Sequence, residues 1–332
     1  MAKPAQPLDP ATRNAAEAWA VEYFAQNYDP YWRAVLIEGL LTLMRDRPRL
    51  TAAALAASGV AFVADDQYVH GTAARGLVAA GVNELAMHCE DLFALIRAVH
   101  GQASFAHGIA SYKPGNATGL AGPLVDRDDA WVRKALLVPD AETLTEGLAA
   151  AEDSHANVKA EEATARIVAW CREAARWYGR HEVSHLRYKH GLRLLLGGFG
   201  PLSEAAIEER RDSTSAALIS LTNRPLKDGQ GVLMFQVPDR LRGFLVALME
   251  RRLLLRVEMV PSEVDLAEVA ALAWKVAAVQ ACILANRLAL NAPLGPEGEY
   301  AVQLPHSEAS MRQTVWLRLI RAPTLDDYTI GK

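Results

Sequence analysis

Residues 78–96 read VAAGVNELAMHCEDLFALI and carry the clearest helical pattern in the chain. Apolar residues recur there at spacings of three and four, which places them along one face of an α-helix. The residues on that face are Val78, Val82, Leu85, Cys89, Leu92, Phe93 and Ile96. A long helix with one apolar face buries it against other helices, so we predict a helix from about Tyr68 to Val99 within a helical bundle.

Similar patterns predict further helices on both sides of this stretch. Asp9-Pro10 and Asp29-Pro30 each join a capping residue to a proline, which is typical of the first turn of a helix. One or two helices are predicted between residues 140 and 179. Residues 111–124, SYKPGNATGLAGPL, are rich in glycine and proline and therefore predict a loop.

The character of the sequence changes after about residue 225. Strands are predicted at residues 231–237, 300–304 and 313–320, where β-branched and other apolar residues are concentrated. Between the first two strands, Pro261-Ser262 followed by acidic residues predicts a helix that runs to about Leu290. The expected fold is mainly α, with a helical bundle over residues 1–225 followed by a smaller α+β region over residues 226–332 with a few antiparallel strands.

The composition indicates an ordinary soluble protein. Hydrophobic residues make up 51% of the chain and charged residues 22%, which argues against intrinsic disorder. The net charge of −4 excludes a generally basic nucleic-acid-binding chain, so any such function requires a local patch. The three cysteines are widely spaced and odd in number, which favours reduced thiols in the cytoplasm. Neither a signal peptide nor a membrane-spanning segment is expected.

A local basic patch does occur around residues 176–193, RWYGRHEVSHLRYKHGLR. From Arg166 to Arg193 there are seven basic residues and two acidic ones. The basic residues that we expect to contact a nucleic-acid backbone are Arg172, Arg176, Arg187, Lys189 and His190. The interleaved aromatic residues Trp177, Tyr178 and Tyr188 would stack on the bases of a single-stranded or looped RNA.

One interpretation of this patch is a zinc site, because HEVSH fits the H-E-x-x-H pattern. His181 and His185 lie four residues apart on one helix face and would bind the metal, while Glu182 would act as general base. A third ligand is hard to identify. On a continuous helix His190 lies about 180° around from His181, and nothing singles out the carboxylates that follow GGFGP at residues 197–201.

A second interpretation is metal-independent RNA cleavage by Arg180, His181 and His185. A histidine beside a fixed arginine can move the 2′-hydroxyl proton while the guanidinium stabilises the charged phosphorane, and no metal or cofactor is needed. In this interpretation His185 is the acid/base, Arg180 stabilises the phosphate, and His181 orients the site or transfers a second proton.

The motif RHEVSH at residues 180–185, in a helical context, resembles the HEPN superfamily (higher eukaryotes and prokaryotes nucleotide-binding). The resemblance covers residues 10–220 in helical character but only six residues in motif. It implies a helical bundle that forms a homodimer with a composite RNA-cleaving site, and many such domains belong to toxin or defence systems. It also suggests that Asn83, Glu84 and Asp91 line a groove opposite the basic helix and orient Arg180.

A third interpretation is a solvated basic helix on a non-catalytic interaction or scaffold protein, whose partner would be an acidic protein. Outside the patch, Glu84 and His88 are expected on the polar face of their helix, because the chain has no second copy of a Glu-x-x-His pair. His100 and His107 flank a predicted loop and are expected to be exposed.

Overall fold

The computed structural model describes residues 9–46, 49, 73–101, 104–113, 115–139, 154–189, 194–195, 213–222, 258–291, 300–305, 314–319, 328 and 330. The helices are α1 (Pro10–Asn27), α2 (Trp32–Arg45), α3 (Ala74–Val99), α4 (Phe105–Ala110), α5 (Gly115–Asp126), α6 (Asp129–Ala135), α7 (Ser154–Lys189) and α8 (Leu266–Asn291). The strands are β1 (Leu194–Leu195), β2 (Ser215–Thr222), β3 (Glu258–Asp265), β4 (Tyr300–Pro305) and β5 (Thr314–Leu319). The fold is therefore mainly α with a few antiparallel strands, as predicted.

The chain divides into two compact units, each built from separate segments. The first comprises Met1–Ala34, Met87–Gly179 and Leu272–Lys332, and the second comprises Val35–Ala86 and Arg180–Ala271. The predicted boundary between residues 1–225 and 226–332 lies outside the described residues, so that division stays a prediction. Strands β1 and β2 lie before residue 225, inside the region that was predicted to be a helical bundle.

Helix α1 begins where the sequence predicts, and α2 begins two residues after the predicted Pro30. The Asp9 side chain accepts a hydrogen bond from the backbone N–H of Thr12 at 3.0 Å, and Pro10 follows as the first helical residue of α1. This arrangement satisfies a backbone donor that the helix itself leaves unpaired. Asp29 accepts a hydrogen bond from the N–H of Tyr31 at 2.8 Å just before α2.

The apolar face of α3 is buried as predicted. Val78, Val82 and Leu85 lie in the core of the second unit, with at most 2% of each residue exposed. The later members of the pattern lie in the core of the first unit, and they are Cys89, Leu92, Phe93 and Ile96. The 3.6-residue periodicity therefore identified the buried side of this helix correctly.

The predicted loop at residues 111–124 is wrong, because Gly115–Asp126 forms α5. Leu120 and Leu124 lie four residues apart on this helix and are buried in the first unit. Their burial stabilises the helical conformation and outweighs the low helix propensity of its glycines and of Pro123.

The start of α8 also differs from the prediction. Pro261 and Ser262 lie in strand β3, where they pair with Ile219 and Leu218 of β2, and the helix begins only at Leu266. Residues 258–265 pair with the neighbouring strand β2, which the local helix-start pattern does not reveal. Asp265 accepts a hydrogen bond from the N–H of Ala267 at 2.9 Å and so acts as the capping residue.

The strands form two small antiparallel sheets. One has the order β1-β2-β3 within the second unit, and its register pairs Leu195 with Ile219 and Ser215 with Asp265. The other pairs β4 with β5 within the first unit, which confirms the strands predicted at residues 300–304 and 313–320. The strand predicted at residues 231–237 lies outside the described residues.

A buried polar chain of the first unit connects helices α3 and α8 with the segment between α1 and α2. The Tyr28 hydroxyl donates to Oε1 of Gln280 at 2.9 Å, and Nε2 of Gln280 donates to the carbonyl of His88 at 3.0 Å. The His88 ring donates from Nε2 to the carbonyl of Pro30 at 3.1 Å. Burial, together with the nearby positive charge of Arg33, lowers the pKa of His88 to about 4, so the ring is neutral at physiological pH.

Helix α8 is long and apolar enough to cross a membrane by length and composition. Of its most apolar part, 67% is buried inside the protein. Burial of this kind is typical of a core helix of a soluble protein, so α8 is weak evidence for a membrane span.

Candidate functional site

Residues 180–185 lie on one continuous helix, because α7 runs without a break from Ser154 to Lys189. The HEVSH and RHEVSH motifs therefore both have regular helical geometry. His181 and His185 are one turn apart on the same side of α7, and Arg180 lies on the turn that also carries His181. These residues belong to the second unit.

His185 is completely buried and contacts helix α3. Its Nδ1 lies 3.0 Å from Oδ1 of Asn83, and Asn83 itself is only 9% exposed. An amide oxygen can only accept a hydrogen bond, so Nδ1 of His185 carries the hydrogen and donates it. In the neutral ring, Nε2 is then the basic nitrogen.

Arg180 and His181 lie nearer the surface of the second unit. The Arg180 residue is exposed, whereas His181 and Glu182 are half-buried. Burial, and secondarily the positive charge of Arg180, lowers the pKa of His181 to about 4. His181 is therefore a neutral imidazole at physiological pH, able to accept a proton beside a fixed positive charge.

The zinc interpretation lacks a third ligand in the described part of the chain. Among these residues there is no group of three or more histidine, cysteine, aspartate or glutamate side chains that could hold a metal ion. His190 and the carboxylates that follow residues 197–201 lie outside the described residues. A catalytic zinc usually has three protein ligands, and His181 and His185 supply two.

The predicted backbone-binding residues differ in their surroundings. Arg176 is exposed on α7, as an RNA contact requires. Arg172 forms an ion pair with Asp129 at 2.5 Å and also donates to the carbonyl of Arg127 at 2.6 Å, so its guanidinium helps to hold α6 within the first unit. The side chains of Arg187 and Lys189, and all of His190, lie outside the described residues.

The prediction that Trp177 and Tyr178 stack on bases is wrong, because both residues are buried in the first unit. The Tyr178 hydroxyl donates to Oε1 of Glu90 at 3.0 Å. Its ring packs edge-to-face on Phe93, with 5.5 Å between ring centroids. These aromatic residues belong to the helix-packing core, and Tyr188 lies where no side chain is described.

The polar residues predicted on α3 have other partners. His88 is fully buried, so its prediction as a polar-face residue is wrong, whereas Glu84 is half-buried. Asp91 forms an ion pair with Arg33 at 2.8 Å within the first unit. Asn83 contacts His185 of the predicted motif.

The loop histidines also lie elsewhere than predicted. His100 is half-buried, with Nε2 2.9 Å from the carbonyl oxygen of Ala135, so its predicted exposure is wrong. His107 is exposed as expected, but it lies on helix α4.

The sequence predicted that Asn83 orients Arg180, but in the structure Asn83 forms a hydrogen bond with His185. A signal was present, because the polar residue Asn83 directly follows the apolar position Val82 and lies on the buried side of α3. A buried amide requires a hydrogen-bonding partner. Its partner lies 102 residues away in the sequence, so no local pattern identifies it.

No protein-family model, curated protein or solved structure matches the chain.

Proposed function

We propose that this chain is an HEPN-like RNA-binding protein that cleaves RNA without a metal ion, with Arg180 and His181 of α7 as the reactive pair. The observation that carries the proposal is the exposed Arg180 next to a half-buried, neutral His181. An exposed guanidinium binds a phosphate oxygen, and an adjacent neutral imidazole can accept the proton of a 2′-hydroxyl.

The chemistry follows from these two groups. His181 accepts the 2′-hydroxyl proton, the 2′-oxygen forms a bond to phosphorus, and the bond from phosphorus to the 5′-oxygen breaks. The products are a 2′,3′-cyclic phosphate and a 5′-hydroxyl, whose proton comes from water. Arg180 stabilises the negative charge of the phosphorane. Phosphate binding would also offset the charge of Arg180, which raises the pKa of His181 and makes it a stronger base.

The burial of His185 favours His181 as the group that moves the proton. His185 has no exposed surface and is bonded to Asn83, whereas His181 is half-buried beside the exposed Arg180. Exposed Arg176 extends the positive charge along α7 and would contact the RNA backbone. Arg187, Lys189 and His190 remain predicted contacts for the same backbone.

The proposed protein is a homodimer in the cytoplasm, which is the assembly that the HEPN resemblance implies, with two copies of the Arg180–His181 pair in one composite site. Cys89, Cys171 and Cys282 are all free and buried, as expected of a protein in a reducing compartment. Sedimentation analysis across a concentration series tests the dimer independently of activity.

A second candidate is a non-catalytic interaction protein whose partner is an acidic protein. Two observations favour it, namely the burial of Trp177 and Tyr178 and the engagement of Arg172 by Asp129. These contacts remove two aromatic side chains and one arginine from the predicted RNA-binding surface. The exposed Arg176 and Arg180 would then meet carboxylates of the partner.

The deciding experiment is cleavage of a mixed RNA substrate in excess EDTA by the wild type, His181→Asn and Arg180→Ala. We expect cleavage by the wild type and a loss of at least about 100-fold in rate for His181→Asn. His107→Asn is the matched control, because His107 is an exposed histidine on α4, and its rate should equal that of the wild type.

Other outcomes separate the alternatives. Absence of cleavage by the wild type would reject the ribonuclease proposal. RNA retention without cleavage, weakening steeply with salt, would indicate a binding protein, and specific retention of acidic protein partners would support the second candidate. Cleavage that EDTA abolishes, with stoichiometric zinc in the purified protein, would revive the zinc interpretation.

A further inference from the structure

The hydrogen bond between Asn83 and His185 joins two helices of the second unit at a buried position. Its length is 3.0 Å, and the two residues are 9% and 0% exposed. A buried amide and a buried imidazole that share a hydrogen bond are costly to separate, because the bond lies where water cannot replace it. The bond therefore fixes which side of α7 faces α3 at residue 185.

Helical geometry carries that constraint to the surface residues of the proposed site. Each residue advances about 100° around the axis, so His181 lies about 40° from the direction of His185, and Arg180 lies about 140° from it. These angles agree with the half-buried His181 and the exposed Arg180. Glu182, about 60° away on the other side, is half-buried as well.

We infer that Asn83 and His185 are positioning residues that hold α7 in the rotation that presents Arg180 to solvent and keeps His181 half-buried beside it. Neither residue needs to touch the RNA. The inference rests on the proposed function for its catalytic consequence, but the placement of Arg180 and His181 can be measured without any RNA. It also adds a requirement that the motif alone does not contain, namely a hydrogen-bond acceptor at residue 83 of α3.

The experiment is ¹⁵N NMR of the histidine rings in the full chain, for the wild type, Asn83→Leu and Asn83→Asp. We expect His185 to carry its hydrogen on Nδ1 in the wild type and in Asn83→Asp, which retains an acceptor oxygen. In Asn83→Leu, which has a similar volume and no acceptor, His181 should titrate at a higher pH than in the wild type because the helix is no longer held.

The same variants separate this inference from the ribonuclease proposal. If the wild type cleaves RNA, Asn83→Leu should lower kcat by about 10-fold or more with a smaller change in KM, and Asn83→Asp should restore most of the rate. If the wild type does not cleave RNA, the NMR results still decide the inference. A wild-type His185 with its hydrogen on Nε2 would overturn it, and this measurement needs no variant to fold. Identical His181 titrations in the wild type and a folded Asn83→Leu would overturn it as well.

Discussion

Tyr28 and Gln280 lie 252 residues apart in the sequence, yet they share a hydrogen bond within the first unit. Gln280 is completely buried, so its Oε1 has no access to solvent if the Tyr28 hydroxyl is removed. A buried acceptor left without a donor costs about 1–3 kcal/mol. We therefore expect Tyr28→Phe to lower the free energy of unfolding by this amount in a urea titration.

Tyr23→Phe is the matched control for this prediction at the residue scale. Tyr23 lies on α1, which ends just before Tyr28. It is 56% exposed and stacks on Trp19 through its ring, which phenylalanine retains. Its substitution should change the free energy of unfolding by less than about 0.5 kcal/mol. Equal effects of the two substitutions would show that the Tyr28 hydroxyl does not stabilise the fold.

At the scale of elements, α4 packs against α3 through Gly108. A Cβ atom at residue 108 would lie 2.8 Å from Cα of Ala98, which is a backbone atom and cannot rotate away. Gly108→Ala should therefore lower the free energy of unfolding by about 1–3 kcal/mol, because the two helices must move apart. Urea unfolding followed by circular dichroism measures the change.

Gly39 offers the opposite expectation on helix α2. Among the described residues, no atom outside the helix's own backbone lies within 4 Å of a Cβ built at this residue, and the residue is exposed. Gly39→Ala should stabilise the protein by about 0.5–1 kcal/mol through the higher helix propensity of alanine. A Gly108→Ala variant as stable as Gly39→Ala would contradict the close approach of α3 and α4.

At the scale of the whole molecule, buried neutral histidines should make the protein sensitive to acid. The pKa values of His88 and His181 are lowered to about 4, mainly by burial, and that of His100 is lowered for the same reason. A group whose folded pKa is depressed stabilises the protein above its unfolded pKa, here 6.5, and loses that contribution as the pH falls toward 4.

We expect the free energy of unfolding to fall between pH 6.5 and pH 4, with His88 contributing up to about 3 kcal/mol of the loss. Urea titrations at several pH values measure this slope. His88→Gln, which keeps a side-chain donor for the carbonyl of Pro30, should make the slope shallower. An unchanged slope in a folded His88→Gln variant would show that His88 is not a source of the acid sensitivity.

The sequence by itself determined those features whose cause is local. The capping residue Asp9, the apolar face of α3, and strands β4 and β5 all follow from patterns within a few residues, and all were predicted correctly. The basic stretch around Arg180 was also visible in the sequence, and so was the helical spacing of its histidines. Helix caps and apolar periodicity report directly on neighbouring residues, which is why they could be predicted.

Only the tertiary structure decided which polar side chains lie inside the protein and what they contact. It pairs Asn83 with His185, buries Trp177 and Tyr178, and converts the predicted helix start at Pro261 into a strand. In each case the partner is distant in the sequence, and the free energy of burying a polar or aromatic group depends on that partner. The spacing of RHEVSH placed Arg180, His181 and His185 on one helix. The contact with α3 buries His185, whereas Arg180 and His181 lie nearer the surface.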